Sequence, residues 1–245
     1  MLIVICRHKL MVSWLQSNSE RRHNLIVVVP STPAQYFHCL RRQIHRPFAK
    51  PLVVMSAKWL LHHKACASRL DDLAEGSFFH RVIVENGKGD NTTVRRTTGG
   101  SGNKSQSSHT HANTAAENSL VEPEKIRKVI FCCGSVFYHL FHARAASKIN
   151  DITFVRIEQI APFPFDLVGP IIQKYPNADL VWVQEEPKNM GAWSYVKPRF
   201  DTTCREEKIQ KSIRYVGRHP CASPATGGFK QHFTEQKSLI AEALL

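Results

Sequence analysis

Apolar positions along the chain fall into short continuous runs that alternate with stretches in which they recur every three or four residues. Leu25–Val29 is one such run, closed by Pro30-Ser31-Thr32-Pro33. It predicts a buried strand followed by a helix, with Ser31 or Thr32 as cap and Pro33 in the first turn, where a missing amide hydrogen costs nothing. That helix, about Pro33–Arg46, places Tyr36, Phe37, Leu40 and Ile44 on one face. Pro51–Met55 reads as a second strand, and Ser56 can cap a helix over Ala57–Lys64. A further helix over Ala67–Ala74 stops at Gly76, and Phe79–Val84 reads as strand. After an interruption the alternation resumes with strands at Lys128–Cys133, Ile152–Ile157, Leu180–Gln184 and Ser212–Val216. Helices are predicted at Val136–Lys148, Phe165–Tyr175, Trp193–Thr203 and Lys230–Leu244.

Continuous apolar strands alternating with helices make an α/β fold whose sheet is largely parallel and covered on both faces, in three layers. Ligands and partners of such sheets meet the carboxyl ends of the strands. That rule puts Cys133-Gly134-Ser135, the Glu158–Pro164 loop and the Gln184–Gly191 loop on one rim. The interruption, residues 87–122, is rich in Gly, Ser, Thr and Asn and nearly devoid of large apolar side chains. It cannot bury enough surface to offset its ordering entropy and is predicted to be a flexible insertion.

The 245 residues are 42% apolar and 22% charged, which excludes a wholly disordered chain, and no apolar run approaches the length of a membrane-spanning helix. Seven irregularly spaced cysteines do not make a secreted disulfide framework, and there is no Cys-x-x-Cys or His-Glu-x-x-His zinc motif. Both points suit a reducing compartment. The net charge of +13 is unevenly placed: residues 1–66 carry ten Lys and Arg against the single acidic Glu20. No nucleic-acid-binding module is legible there, so an anionic small ligand or an acidic protein surface is the expected complement, with neither nucleic acid nor membrane as partner. No targeting peptide is legible at Met1.

Several ordered stretches together are more specific than the fold. Pro30-Ser-Thr-Pro-Ala-Gln-Tyr-Phe-His-Cys-Leu-Arg-Arg-Gln43, followed by Lys50-Pro-Leu-Val-Val-Met55, resembles the end of the pyrimidine-binding domain of the 2-oxoglutarate dehydrogenase decarboxylase component. Val155-Arg-Ile-Glu-Gln-Ile-Ala-Pro-Phe-Pro-Phe165, Lys174-Tyr-Pro-Asn-Ala178 and Gln184-Glu-Glu-Pro-Lys-Asn-Met-Gly-Ala-Trp193 resemble its transketolase-type C-terminal domain. So do Tyr215-Val-Gly-Arg218, Ser223-Pro-Ala-Thr-Gly227, His232 and Thr234-Glu-Gln236. The resemblance implies an unmatched segment over 1–23, the last strand–helix–strand of a pyrimidine-binding domain over 24–56, and the C-terminal domain over 57–245.

By that resemblance the parent activity is oxidative decarboxylation of 2-oxoglutarate, with succinyl transfer to lipoyl in the tricarboxylic acid cycle, using thiamine diphosphate and magnesium in the mitochondrial matrix. The implied partners are the remainder of the decarboxylase component, its homodimer mate, the lipoyl acyltransferase and dihydrolipoyl dehydrogenase. The family's Gly-Asp-Gly magnesium motif, activating Glu and catalytic histidines lie upstream of the matched region. This chain alone is therefore expected to be structural or regulatory, without catalytic residues, metal ligands or its own thiamine diphosphate site. Gly89-Asp90-Asn91 only echoes the magnesium motif, lacking its second Gly. A fragment of the 2-oxoadipate dehydrogenase paralogue and a stand-alone anion-binding module are the alternatives.

Two groups are candidate sites. Arg42 and Arg46, four apart on a helix and flanked by Arg41 and Lys50, can converge on a phosphate or carboxylate, or form an interdomain salt bridge. Relatives can bind anionic regulators at this junction. Glu185, Glu186, Asn189 and Trp193 form a candidate interface loop after a buried strand, with structural support as the plainer reading. Arg156 and Glu158, two apart on a strand, share a side and read as a structural ion pair. Cys132-Cys133 read as small core residues. His62-His63, His109/His111 and the Asn91-Thr92-Thr93 sequon carry no metal or glycan expectation.

Overall fold

The computed structural model describes residues 2–4, 23–85 and 120–245. Gly89-Asp90-Asn91, the sequon, His109/His111, nearly all of the proposed insertion and most of segment 1–23 lie outside the described residues. The strands are β1 (Leu2–Val4), β2 (Ile26–Val28), β3 (Leu52–Val54), β4 (Val82–Val84), β5 (Lys128–Cys132), β6 (Ile152–Ile157), β7 (Gln159–Ala161), β8 (Asp179–Pro187) and β9 (Arg214–Arg218). The α-helices are α1 (Pro33–His45), α2 (Val136–Ala146), α3 (Phe165–Lys174), α4 (Trp193–Glu206) and α5 (Phe229–Leu244).

β5, β6, β8 and β9 form a parallel sheet in the order β6-β5-β8-β9, with β4 added antiparallel to β6. Their residues alternate between two cores. Ile130, Phe154, Val181 and Val216 pack with α2 and α5; Phe131, Val155 and Trp182 pack with α3 and α4. Strands apolar on both faces therefore give the three layers expected. Arg127 and Lys128 donate to the carbonyls of Leu244, Leu245 and Ala243, capping the end of α5 with positive charge where its dipole is negative. Arg144, 1% exposed, forks onto the Glu85 carboxylate and donates to the Ile152 carbonyl at 2.7 Å, so the charge on α2 is matched inside the core.

The second sheet is smaller, in the order β1-β3-β2-β7, with β2 and β3 parallel and the two outer strands antiparallel. Ile26, Val28, Leu52 and Val54 pack beneath α1 with Cys39 and Phe79. Of the two candidate caps, Thr32 accepts from the Gln35 amide at 3.2 Å. Ser31 is committed elsewhere.

β1 and β7 are strands absent from the sequence reading. The chain leaves β6 in the large sheet, passes through Glu158, and pairs β7 with β2 in the small one. Its three residues sit inside a stretch, Glu158–Pro164, whose prolines read as loop, and a three-residue pairing has no period of its own to detect. Glu158 is fully buried at this crossing. Its amide donates to the Arg81 carbonyl at 3.0 Å and its carbonyl accepts from Val29 at 2.7 Å. The carboxylate accepts from the Ser31 amide at 2.8 Å and hydroxyl at 2.5 Å. Arg156 donates to the same hydroxyl at 2.8 Å, and its guanidinium lies 4.2 Å from the Phe137 ring centre. The Ser31 carbonyl accepts from Tyr138 at 2.7 Å and from Cys66 at 3.3 Å. Arg156 and Glu158 thus share a side as expected, with Ser31 between them. Burial pushes the Glu158 carboxyl above its ordinary value, against the downward pull of Arg156 and Ser31.

Two further differences concern the segment between β3 and β4. Ala57–Lys64 and Ala67–Ala74, expected as α-helices, form only the 3₁₀ turns Lys58–His62 and Leu70–Leu73. Leu60 is the one buried side chain in the first turn and the second has none, so no apolar stripe stabilises a longer helix. β8 runs three residues beyond the predicted Gln184, with an irregular register against β9 between Val183 and Pro187.

Removing the buried carboxylate with Glu158→Ala is expected to cost about 3–5 kcal/mol, because it takes one charge out of a buried hydrogen-bonded network with Ser31 and Arg156. Ser31→Ala is expected to cost about 1–3 kcal/mol. Urea unfolding followed by circular dichroism measures both; a loss below about 0.5 kcal/mol for each would show that the seam is not where the two sheets are joined.

Candidate functional site

Where the two sheets meet, the carboxyl ends of β5 and β8 face a cleft of about 830 Å³. It brings together all three segments assigned to one rim: Cys133-Gly134-Ser135, Ile160 and Ala161 of β7, and Glu185, Glu186 and Gly191. Val27, Val29 and Met55 supply the opposite wall, and Tyr195 and Arg199 of α4 close one end. Arg199 lies over the Tyr195 ring at 3.3 Å and donates to the Tyr195 carbonyl.

The rim is held by a residue to which the sequence reading gave no role of its own, Gln184. It is 1% exposed. Its Oε1 accepts from Trp182 Nε1 and from the Trp193 amide, each at 3.0 Å, while its Nε2 reaches the carbonyls of Glu186, Pro187 and Met190. One amide side chain therefore folds the whole turn from β8 into α4. Gly191 completes that turn at φ +65°, where a Cβ would lie 2.8 Å from Gln184 Nε2.

Glu185 accepts from Ser135 at 2.6 Å and from Gln236 at 2.9 Å, and lies 3.8 Å from His139. The Glu186 carboxyl is held above its ordinary value, chiefly by loss of solvent and also by the neighbouring Glu185 charge. Asn189 points away from the cleft: it exchanges two 3.0 Å hydrogen bonds with Cys221. The Trp193 ring packs on Tyr215, 5.2 Å between centres. Of the four loop candidates, Glu185 and Glu186 line the cleft, whereas Asn189 and Trp193 brace the turn behind it.

The late motifs converge on Arg218, which the sequence reading quoted but gave no role. Its guanidinium donates to Thr226 at 3.2 Å, meets His232 Nδ1 at 3.0 Å, donates to Gln236 at 3.3 Å and pairs with Glu235 at 3.5 Å. Gln236 in turn reaches Glu185. Through the Gln236–Glu185 contact, 51 positions apart, the last strand, the last helix and the cleft rim are locked together, a link visible only once β9 and α5 are adjacent.

The basic group lies along α1 and just after it, with two of its guanidinium groups beside aromatic rings. Arg42 lies over the Phe79 ring at 4.1 Å, and Arg46, 3% exposed, lies by the Phe48 ring at 5.4 Å. Helical spacing put the two Cα atoms on one face, but each guanidinium is drawn to a different aromatic face. Lys50 donates to the His23 carbonyl, and Arg41 is half-buried. The four bases are thus neighbours along α1 and after it.

Burial pushes the Cys132 thiol up to about 12 and that of Cys133 well above its ordinary value, so both rim thiols stay protonated and behave as core residues. A diphosphate with a divalent ion needs oxygen ligands for the ion and cationic or amide donors for the phosphates. Among the described residues no group of three or more His, Cys, Asp or Glu is placed to hold a metal, and the cleft turns Glu185 and Glu186 inward. The cleft has largely apolar walls and carries Glu185, Glu186 and Arg199.

Residues 103–244 match the family described as 2-oxoglutarate dehydrogenase C-terminal, and residues 11–64 match the transketolase pyrimidine binding domain. The second match spans more than the 24–56 given to that unit on sequence. Over 221 residues the chain is 40% identical to a mitochondrial 2-oxoglutarate dehydrogenase-like protein of Pongo abelii, covering 90% of this chain and 19% of that protein. It is 36% identical over 221 residues to the mitochondrial 2-oxoglutarate dehydrogenase of Dictyostelium discoideum, with the same coverage of each. To that of Caenorhabditis elegans it is 39% identical over 220 residues, covering 89% of this chain and 18% of the relative. The chain spans about a fifth of the length of these relatives.

Gln184→Leu keeps the side-chain size but leaves Trp182 Nε1 and the Trp193 amide without their acceptor. It is expected to lower stability by about 2–4 kcal/mol and to shift the Trp182 emission as the indole loses its partner. Thermal unfolding and tryptophan fluorescence measure both; an unchanged melting temperature would remove Gln184 as the organiser of the rim.

Proposed function

The chain belongs to the 2-oxoglutarate dehydrogenase C-terminal family, and from that premise we propose that it works as the C-terminal part of a thiamine diphosphate-dependent decarboxylase component. The parent reaction is oxidative decarboxylation of 2-oxoglutarate with succinyl transfer to the lipoyl arm. In this reading residues 24–56 are the end of the pyrimidine-binding unit and residues 57–245 the C-terminal domain, with 87–122 an insertion between its strands. The observation that carries the proposal is the acidic, apolar cleft beside an interlocked pair of sheets. A surface of that chemistry is suited to the remainder of the decarboxylase component or its homodimer mate, with Glu185 and Glu186 meeting basic side chains.

The role proposed for this chain is architectural: it positions and supports a reactive centre whose cofactor-holding residues come from elsewhere. The lipoyl acyltransferase and dihydrolipoyl dehydrogenase are the further partners this reading implies, and the mitochondrial matrix the location, in keeping with relatives named as mitochondrial. No helix among the described residues is long and apolar enough to cross a membrane. An anionic regulator remains a proposal for the basic end of α1, over Arg41, Arg42, Arg46 and Lys50. It predicts nucleotide binding that weakens with salt and with Arg41→Ala; calorimetry without heat at low ionic strength would remove it.

With added thiamine diphosphate and magnesium, the chain alone is expected to give no 2-oxoglutarate-dependent reduction of an artificial electron acceptor. Co-purified with the preceding portion of a relative, it is expected to restore that reduction, and Glu185→Lys together with Glu186→Lys to abolish the restoration. Turnover by the chain alone, or restoration indifferent to the double charge reversal, would overturn the assignment.

A further inference from the structure

The segment leading out of β3 is held against α2 by very little apolar surface. Leu60, 7% exposed, is its one buried anchor, while Leu61 is 72% exposed. The rest of its grip is a stack of rings. Trp59 lies 4.1 Å from the His63 ring and 4.8 Å from the His139 ring, nearly parallel to the latter. His63 lies 5.0 Å from the Tyr138 ring and 5.8 Å from that of His142. His139 and His142 are three apart on α2 and so share one face of it. Three residues beyond His63, Cys66 donates to the Ser31 carbonyl, and Tyr138 donates to that same carbonyl. The stack therefore touches the seam between the two sheets.

We propose that His63, His139 and His142 form an acid-released latch: neutral, their rings hold residues 57–66 on α2; protonated, they repel one another and let the segment and its contact with Ser31 go. The charges facing this cluster are unevenly matched. Lys58, His62 and Lys64 lie on the segment itself and add positive charge. On α2 the facing groups are Tyr138, His139 and His142; from β8 comes Glu185, 3.8 Å from His139 but already accepting from Ser135 and Gln236. His139 thus has a partial counter-charge. His63 has none in this contact set, and its buried Nδ1 has no hydrogen-bond partner among the described residues. Two positive rings about 6 Å apart in a partly dry setting repel substantially.

Burial, followed by His142 and His139, lowers the His63 pKa from the ordinary 6.5. The latched state therefore binds fewer protons than the released one. Its hold is complete above about pH 6.5 and is lost as the pH falls below that value.

The test is hydrogen exchange on the full chain, read by mass spectrometry as protection factors for residues 57–66 at about pH 7.5 and about pH 5.5. The expected result is a fall of about tenfold in protection of that segment at the lower pH, one pH unit below the ordinary histidine value, with β5 and β8 unchanged. His63→Gln, or His142→Gln if the first does not fold, is expected to remove most of that fall. Equal protection at both pH values, the same fall in a folded variant, or a simultaneous loss in β5 and β8 would overturn the latch. Because the readout is local exchange, it succeeds or fails independently of the decarboxylase assignment.

Discussion

A buried serine carries the architecture. Ser31 stands at the end of β2 with its amide, hydroxyl and carbonyl all engaged by residues of the other sheet or of the elements packed on it: Glu158, Arg156, Tyr138 and Cys66. Glu158 is the complementary point, a carboxylate placed where one strand ends and the next begins in a different sheet. Both charges are buried, and Ser31 supplies donors to one and an acceptor to the other. Such a device adds less to net stability than to geometry: it fixes how the small sheet is set against the large one, and hence the shape of the cleft between them.

The large sheet was legible because its strands are long, apolar on both faces and separated by amphipathic helices, so pattern and packing agree. The rim was legible too, since the carboxyl ends of parallel strands follow from strand order alone. What escaped was decided by tertiary contact. β7 exists because Gln159–Ala161 finds β2, not because of its own sequence. The two turns after β3 fail to become α-helices because Leu60 is the sole apolar residue they bury. Arg42 and Arg46 have the spacing of an anion site, and the rings of Phe79 and Phe48 beside their guanidinium groups were not foreseen, since those contacts come from outside the helix.

The motifs that carry the family resemblance turn out to be joints. Gln184 folds the turn into α4, Asn189 pins the loop at Cys221, and Thr226, His232, Glu235 and Gln236 gather on Arg218. Together they stiffen the acidic side of the cleft. The residues quoted for the resemblance thus hold the rim of the cleft in shape.

The central claim is that the two sheets are one cooperative body, joined at Ser31 and Glu158. Native-state hydrogen exchange in increasing, sub-denaturing urea tests it directly, by comparing the amides of β2 and β3 with those of β5 and β8. The account predicts that the two sets merge into one opening reaction, with the same free energy and the same urea dependence. Exchange of β2 and β3 through a separate, lower-energy opening, while β5 and β8 stay protected, would contradict it.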